Sequence, residues 1–386
     1  MYSTLKTVVL MVVAATSFHL SSARAADKSF IYVSNAEDGT ITSYILNDQG
    51  IMRQLQVFRV GGLVMPLASN PRKNVLYAGV RSAPFKVHSM SIDPKTGILT
   101  TLNSAPLKDN MLHISTDNAG NYLFASSNSG DLIAIKSLSD LGEASQEDIQ
   151  VIKSLHYTHA IKLDWTNRFA FAPSLGENAV EKFIFDARHG TLRYNDPRKI
   201  VSDKKSGLRH LSLSPDNQHL YVVSQFLATV EAFSIDHKTG SLKKIGSFEG
   251  LADTTLAPGK QRPPVSQNGA AKPDVQAIWA ADIQITPDGS FVYITERTTS
   301  QIIGFKRNES TGELTYINSL QTEEQPRSFS INKKGDFLVV AGEKSDHISS
   351  YSINRKDGSL KLIDRQATGK GSAWVEIVSI VVGKND

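Results

Sequence analysis

Ten polar side chains in this sequence combine the groups that proton transfer and anion binding require. They comprise three histidines, four arginines, two carboxylates and one amide, namely His113, His159, His210, Arg81, Arg209, Arg297, Arg327, Asp282, Glu343 and Gln225. Imidazole and carboxylate groups can accept a proton from water, and a guanidinium matches the geometry of an oxyanion or a carboxylate. Any one of these residues alone could be an ordinary solvated side chain. Their common placement in an internal repeat favours a functional site.

The repeat is a short hydrophobic phrase that occurs seven times. Its copies are Ile31-Tyr32-Val33, Leu76-Tyr77-Ala78, Leu123-Phe124-Ala125, Ala170-Phe171-Ala172, Leu220-Tyr221-Val222, Val292-Tyr293-Ile294 and Leu338-Val339-Val340. The central residues are 45, 47, 47, 50, 72 and 46 positions apart. This spacing accommodates about four short strands per copy, with one long insertion before the sixth.

Turn and strand signals around each phrase predict the remaining strands. A second apolar stretch follows about ten residues later, as at 302–305, and a glycine turn such as 238–240 leads into a third. The chain opens on a second strand at Phe30 and closes on a lone first strand at 372–378, so the two ends complete one blade. The sequence therefore predicts an all-β fold, a seven-bladed β-propeller with four antiparallel strands per blade, closed by pairing of the N- and C-terminal strands.

Two registers of the repeat converge on one mouth of the predicted channel. The innermost strand begins eleven or twelve positions before the central residue of each phrase, and the second strand ends four positions after it. Antiparallel pairing brings these two registers to the same face. All ten polar side chains occupy them, whereas the opposite rim shows no comparable set. We expect one convergent polar site.

The insertion between Glu249 and Ile278 contains several prolines and glycines, which predicts a loop at 249–278. It joins an outer strand to the next innermost strand and emerges on the face that carries the ten side chains. It could fold over the channel as a lid, or form a surface excursion.

The N-terminus has the features of a secretory signal. Lys6 precedes the apolar run 8–15, and the small-x-small sequence 23–25 follows, so we expect residues 1–25 to be removed and residues 26–386 to form a single propeller domain. The apolar run is too short for a membrane span. The sequence has no cysteine, which excludes disulfides, thiolate nucleophiles and cysteine-bound metals. We therefore expect a periplasmic protein.

Several motifs within the repeat resemble those of the seven-bladed β-propeller lactonases. This family contains propeller-type 6-phosphogluconolactonases and fungal carboxymuconate-lactonising enzymes. The matching motifs include Leu208-Arg209-His210, Trp279-Ala280-Ala281-Asp282-Ile283, Gln325-Pro326-Arg327 and Ala341-Gly342-Glu343. The resemblance covers the whole mature chain, and the motif at 279–283 is the specific one.

The resemblance implies functional residues by position. In the lactonising branch of the family they are a histidine, two arginines and a glutamate, which correspond here to His159, Arg209, Arg297 and, sixteen residues after Arg209, Gln225. The last position departs from the family. An amide can orient water or a hydroxyl but cannot accept a proton, which argues against a base at this position.

A lactone is an activated ester, so the implied activity is that of a carboxylic ester hydrolase. Water must lose a proton as it attacks the carbonyl, and the oxyanion needs a cation or a donor. We expect His159 or Asp282 as the general base and Arg209 with Arg297 as the stabilisers of the oxyanion and the product carboxylate. The remaining residues would hold the sugar hydroxyls: Gln225, His113, His210, Arg81, Arg327 and Glu343.

The expected cellular location of the protein bears on the identity of its substrate. An exported lactonase meets unphosphorylated sugar lactones, so we expect glucono-1,5-lactone to be hydrolysed to gluconate. The alternative is 6-phosphogluconolactone, with Arg81 or Arg327 binding the phosphate. A further alternative is a non-catalytic periplasmic propeller that binds a peptide, a glycan or an envelope protein.

Composition and residue types indicate few other partners. The formal net charge is +4, from 42 Lys and Arg against 38 Asp and Glu, and the charges are interspersed. We therefore expect no nucleic-acid partner. We also expect no stable membrane span, no cofactor and no metal, because an arginine- and histidine-rich rim does not suit a divalent cation. The expected assembly is a monomer.

Overall fold

The computed structural model describes residues 27–70, 72–251, 254–261 and 277–381. Their strands form seven antiparallel four-stranded sheets. The inner strands of neighbouring sheets contact one another in succession, which arranges the sheets as the blades of a ring. The predicted all-β, seven-bladed β-propeller is confirmed. The described part of the chain contains no helix that could cross a membrane.

Within blades 1 to 6, which follow chain order, the strands succeed one another from the innermost outward. Blade 1 has β4 (Val64–Asn70), β5 (Val75–Val80), β6 (Lys86–Ile92) and β7 (Leu99–Pro106). Blade 2 has β8 (His113–Thr116), β9 (Tyr122–Ser127), β10 (Leu132–Ser137) and β11 (Gln150–Lys153). Blade 3 has β12 (Lys162–Leu163), β13 (Phe169–Ser174), β14 (Ala179–Asp186) and β15 (Thr191–Val201).

The other blades have the same order. Blade 4 has β16 (Leu208–Leu213), β17 (His219–Ser224), β18 (Thr229–Ile235) and β19 (Leu242–Glu249). Blade 5 has β20 (Ala280–Ile285), β21 (Phe291–Glu296), β22 (Gln301–Arg307) and β23 (Leu314–Gln321). Blade 6 has β24 (Pro326–Ile331), β25 (Phe337–Gly342), β26 (His347–Ile353) and β27 (Leu360–Ala367). The closing blade has β28 (Ser372–Val381), β1 (Asp27–Asn35), β2 (Thr40–Leu46) and β3 (Met52–Arg59).

The closing blade joins the two ends of the chain. Strand β28 pairs antiparallel with β1, from Asp27 opposite Val381 to Asn35 opposite Ser372. The side chains of Trp374, Val375 and Val378 are buried between this blade and its neighbours. Because β28 and β1 pair in this way, every inner strand of the described residues is hydrogen-bonded to the second strand of its blade.

The repeated phrase forms the second strand of each blade, and in four of its seven copies the central residue is a tyrosine that hydrogen-bonds to the next blade. The buried hydroxyl of Tyr32 donates a hydrogen bond to the carbonyl of Gly97 in blade 1, at 3.0 Å. The hydroxyl of Tyr293 in blade 5 donates likewise to Gly358 in blade 6, at 2.8 Å. Tyr77 and Tyr221 make the equivalent bonds to their following blades. The phrase therefore specifies packing between blades as well as a strand within each.

The described ends of the insertion lie beside blade 4. Ala257 pairs in parallel with Ala277, and the amide of Gly259 donates to the carbonyl of Phe226 at 2.8 Å. Residues 252–253 and 262–276 lie outside the described residues, so the predicted lid falls largely outside them. The described ends leave the insertion adjacent to Gln225, whose backbone carbonyl accepts a hydrogen bond from the amide of Ala280.

Candidate active site in the central channel

Irregular pairing at the start of the inner strands positions the predicted site residues. In blade 4, Leu208 pairs with Ser224 and Leu211 with Val222, so Arg209 and His210 together oppose a single residue. Blade 5 has the same bulge, which leaves Ala281 and Asp282 opposite Thr295. A β-bulge interrupts the alternation of side chains along a strand. As a result, Arg209 and His210, although consecutive, both reach groups of blade 5.

The four arginines lie at one level of the channel, which we call the arginine layer: Arg81, Arg209, Arg297 and Arg327, with Glu343 and Gln225. Arg297 stacks on Trp279, with its guanidinium carbon 3.5 Å from the ring centroid. Its Nη2 also donates to the Gln225 side-chain carbonyl at 3.4 Å and to the Ala280 carbonyl at 3.2 Å. Arg297 is 3 % exposed. Stacking and hydrogen bonds thus fix its orientation.

Glu343 is the acidic partner within this layer. Its carboxylate accepts a hydrogen bond from Arg327 at 2.9 Å and one from the Gln325 amide at 3.1 Å, and Arg297 Nη1 lies 4.0 Å away. Burial opposes ionisation of Glu343, but Arg327 and Arg297 outweigh it and lower its pKa. Glu343 is therefore ionised at neutral pH and compensates part of the arginine charge.

The other two arginines are less well compensated. Arg81 donates to the side-chain carbonyl of Asn110 at 2.6 Å and to the sulfur of Met65. Arg209, 1 % exposed, donates to the carbonyl of Ala281. Neither forms an ion pair with a carboxylate of the described residues. Burial and repulsion from Arg327 lower the pKa of both Arg81 and Arg209 to about 9, so both remain cationic at neutral pH.

A second level, which we call the histidine layer, contains His113, His159, His210 and Asp282. The ring of His210 lies 5.1 Å from that of His159 and 5.7 Å from that of His113, between centroids. The Nδ1 of His210 lies 2.8 Å from Oδ1 of Asp282. All four side chains are buried, with 3–5 % exposed. The channel is therefore narrowed here by a layer of titratable groups.

The hydrogen bonds of this layer fix the roles that its members can take. Asp282 accepts from the amides of Ile283 at 2.9 Å and Phe329 at 3.3 Å as well as from His210, so its oxygens are occupied by donors. Burial and repulsion from Arg209 lower the pKa of His210 well below its usual value, so the ring is neutral. With Nδ1–H directed to Asp282, Nε2 carries the free lone pair and has no partner among the described residues.

The same forces act on the neighbouring rings. Burial and the guanidinium of Arg209 lower the pKa of His159 well below its usual value. Burial and Lys162 lower the pKa of His113 to about 3. Both rings are neutral at physiological pH. No group of three or more His, Asp or Glu side chains within residues 27–381, as far as they are described, is arranged to hold a metal ion.

The structure brings all ten sequence-predicted residues to these two adjoining layers. The sequence reasoning missed two aromatic residues that shape them, Trp279 beneath Arg297 and Trp374 beside His113 and His210. Trp279 stands inside the motif that most specifically carries the family resemblance, so a signal for it was present. Trp374 occupies the same inner-strand position as His113 and His210. It was missed because the sequence register is counted backwards from the second strand of each blade, and the second strand of the closing blade, β1, lies at the opposite end of the chain.

Comparison with known proteins identifies the family to which the chain is similar. The family described as "Lactonase, 7-bladed beta-propeller" matches residues 30–377. A protein of Pectobacterium carotovorum named 6-phosphogluconolactonase is 33% identical over 350 residues, which are 91% of this chain and 98% of that protein. A protein of Serratia proteamaculans with the same name is 32% identical over 352 residues, 91% of this chain and 99% of its own length.

Solved structures share the fold. The periplasmic gluconolactonase of Pseudomonas aeruginosa superposes with a TM-score of 0.77 at 20% identity, covering 92% of this chain and 99% of its own. A Lactobacillus plantarum protein superposes with a TM-score of 0.78 at 18% identity, covering 92% and 100%. The family match spans nearly all of the described ring, and the chain belongs to the seven-bladed β-propeller lactonases.

Proposed function

We propose that this protein hydrolyses a sugar lactone and that its substrate is glucono-1,5-lactone, which it converts to gluconate. One observation carries the proposal: a buried, neutral histidine held by a carboxylate lies directly beside a layer of incompletely compensated arginines. Ester hydrolysis needs a base for water and a cation for the oxyanion. Membership of a lactonase family supports the same chemistry.

The proposed base is His210. Its Nε2 takes a proton from water as the water oxygen bonds to the lactone carbonyl carbon. Asp282 fixes the tautomer through Nδ1 and stabilises the imidazolium that forms. Of the two bases that the sequence leaves open, Asp282 is better suited to orient the ring because its oxygens already accept donors. His159 lies against His210 and the arginines, where it can contact the attacking water.

The remaining steps use the arginine layer. Arg209 and Arg297 stabilise the tetrahedral oxyanion, which collapses with cleavage of the bond between the carbonyl carbon and the ring oxygen. The imidazolium of His210 returns its proton to that oxygen, which leaves as a hydroxyl. The new carboxylic acid ionises and its carboxylate stays beside the guanidinium groups until release.

Other members of the two layers would bind and orient the sugar. Gln225, held by Arg297, would orient water or a hydroxyl. Arg81, Arg327, Glu343 and His113 would contact the hydroxyl groups of the ring. Glu343 is partly exposed, and Arg327 keeps its carboxylate ionised. It can therefore accept a hydrogen bond from a sugar hydroxyl without a change in its protonation state.

The choice of an unphosphorylated lactone rests on the proposed periplasmic location of the protein. Residues 1–25 lie outside the described residues and have the features of an export signal. We expect the exported protein to begin at Ala26. Mass spectrometry of periplasmic material would show this, and an intact Met1 there would contradict the export signal.

A second candidate substrate is 6-phosphogluconolactone. It is favoured by Arg81, which has no carboxylate partner among the described residues and would suit a phosphate. The names of the relatives point the same way. The proposed propeller domain, residues 26–386, would serve either substrate.

Both candidates are tested by one experiment. The mature protein is assayed by continuous titration of released acid on glucono-1,5-lactone and on its 6-phosphate, with the spontaneous rate subtracted. We expect a higher kcat/KM for the unphosphorylated lactone, and Arg81→Gln should reduce any turnover of the phosphate more than that of the free sugar. No turnover above the spontaneous rate on either lactone would leave a peptide-, glycan- or envelope-binding propeller as the better account.

A further inference from the structure

The channel continues beyond the histidine layer into a second compartment, which we call the lower chamber. Its cavity has a volume of about 640 Å³. His113, His210, Asp282 and Trp374 form its inner end, and Pro215 and Pro287 line its opposite mouth. The lower chamber thus shares one wall with the candidate active site but lies on the other side of that wall.

One row of inner-strand residues lines the lower chamber. Side chains on the same face of a strand recur every second residue, so this row lies two positions after the row that contains His113, His210 and Asp282. It consists of Ala68, Ser115, Lys162, Ser212, Gln284, Ser330 and Glu376. The two sequence registers that predict the active site stop before this row, which is why they indicate nothing on this side.

Three of these residues present polar groups that the protein does not fully use. The ammonium of Lys162 forms no ion pair or hydrogen bond with a described residue, and the same holds for the amide of Gln284. Glu376 accepts one hydrogen bond, from the Ser69 hydroxyl at 2.7 Å. Lys162, Asp282 and Glu376 all line the lower chamber. Burial lowers the pKa of Lys162, whereas Asp282 and Glu376 act to raise it.

The mouth of the lower chamber has a fixed aromatic surface. The indole N–H of Trp165 donates to the carbonyl of Ser214 at 2.8 Å, and its backbone amide donates to Asn217 at 3.1 Å. Trp165 is nevertheless 55 % exposed. An anchored but exposed aromatic ring can pack against the carbon face of a sugar at little cost in side-chain entropy.

We propose that the lower chamber is a second binding site, for a small polyhydroxylated carboxylate of the sugar-acid class. Lys162 would bind the carboxylate, and Glu376 with Gln284 would bind hydroxyl groups. This ligand class is that of the product, so the proposal rests on the proposed function in that respect. Occupancy would add a negative charge beside the wall that holds Asp282 and His210, which couples the lower chamber to the candidate active site.

Isothermal titration of the mature protein with sodium gluconate tests the proposal. Because gluconate is the product, no turnover disturbs the measurement. We expect two sites per chain, one in the arginine layer and one in the lower chamber. Lys162→Met should weaken the second site by about 10- to 100-fold, the range expected when a charged hydrogen bond is lost. Sorbitol, which lacks the carboxylate, should bind the lower chamber more weakly by a similar factor.

Matched variants separate the two sites. Lys243→Met removes an exposed lysine on β19 and should leave both affinities unchanged. Arg209→Lys should weaken the site in the arginine layer and retain that in the lower chamber. If Lys162→Met does not fold, as judged by its melting temperature, Gln284→Leu replaces it, because it removes the amide that would bind a hydroxyl and changes no charge; it should weaken gluconate binding about 3- to 10-fold.

The outcomes distinguish the two proposals. Unchanged gluconate binding in both Lys162→Met and Gln284→Leu would overturn the lower-chamber site whatever the activity. Binding that depends on Lys162 in a protein without lactonase turnover would support the lower chamber and overturn the proposed function alone. A single gluconate site abolished by Arg209→Lys would place all binding in the arginine layer and overturn the lower chamber.

Discussion

The pair formed by His210 and Asp282 is the centre of the proposed chemistry at the level of single residues. Its members belong to neighbouring blades, are 72 positions apart in sequence and meet at 2.8 Å. Burial drives the imidazole towards its neutral form, and the backbone amides of Ile283 and Phe329 hold the carboxylate in place. A base that is neutral and oriented before substrate arrives needs little reorganisation during the reaction.

Asp282→Asn should leave the fold intact and lower kcat by at least about 100-fold. The asparagine side chain can present an N–H in place of the acceptor, which favours the wrong tautomer of His210. Steady-state kinetics with circular dichroism as the control for folding would measure this. A variant with nearly full activity would exclude His210 oriented by Asp282 as the base.

The pH profile gives an independent test. The base is active when neutral, and the pKa of His210 is lowered, so kcat/KM should persist as pH falls through the usual histidine range and decline only at more acidic pH. We expect less than about a twofold decrease between about pH 7.5 and about pH 6. A histidine with the ordinary pKa of about 6.5 would give roughly a fourfold decrease. A fourfold decrease would therefore contradict the neutral, buried base.

Arg209→Lys should lower kcat by roughly 10- to 1000-fold with the fold intact, since an ammonium cannot reproduce the geometry of a guanidinium beside an oxyanion. Gln225→Ala should have a smaller effect, because its proposed role is orientation. Gln225→Glu is expected to raise activity by restoring the carboxylate of related enzymes. Kinetics in which Arg209→Lys equals wild type on both lactones would move the site away from the arginine layer.

At the level of strands, the repeat predicts regular features well and irregular ones poorly. The second strands, the glycine turns and the closing blade follow from hydrophobic period and turn chemistry, which are local. The bulges in β16 and β20 are different. They follow from how each inner strand meets its partner, so the sequence places Arg209 and His210 near the channel without indicating that both reach blade 5.

The pairings within the site were unpredictable for a related reason. The bond between His210 and Asp282 and the stack of Arg297 on Trp279 depend on the rotation between blades and on side-chain conformers. Register arithmetic assigns residues to a level of the channel, but it does not order them around the ring. The ambiguity between His159 and Asp282 as base arises from that missing information.

The interface between blades 5 and 6 gives a prediction at this level. Gly358 has φ +73°, and a Cβ there would lie 2.5 Å from the ring of Phe291, whereas Gly61, with φ +87°, has open space around it. Gly358→Ala should destabilise the protein by about 1–3 kcal/mol more than Gly61→Ala, because only the first adds overpacking to backbone strain. Urea unfolding would measure the difference. Equal losses in the free energy of unfolding would mean that the interface between blades 5 and 6 accommodates the added methyl group without overpacking.

The molecule as a whole is a closed ring that its last strand completes. Strand β28 supplies the inner strand of the closing blade, contributes Trp374 to the histidine layer and Glu376 to the lower chamber, and pairs along the full length of β1. Its removal would expose the inner edge of β1 and uncover the apolar cluster around Phe30. One segment therefore both closes the ring and contributes to its channel.

Deletion of residues 372–386 should lower the melting temperature by more than about 10 °C or prevent folding, since several kcal/mol of burial and pairing are lost. Deletion of residues 382–386 alone is the control and should change it by less than about 2 °C. Differential scanning calorimetry would compare them. A long deletion with the melting temperature of the short one would contradict closure by β28.

The three tryptophans of the chain lie at three depths along the channel axis. Trp279 stacks under Arg297 in the arginine layer, and Trp374 contacts His113 and His210 in the histidine layer. Trp165 lies exposed at the mouth of the lower chamber. Because Trp165 is the most exposed of them, its emission should be the most red-shifted and the most easily quenched by iodide. Single-tryptophan variants with phenylalanine at the other two positions would thus give intrinsic fluorescent reporters for each level of the ring, with no label added.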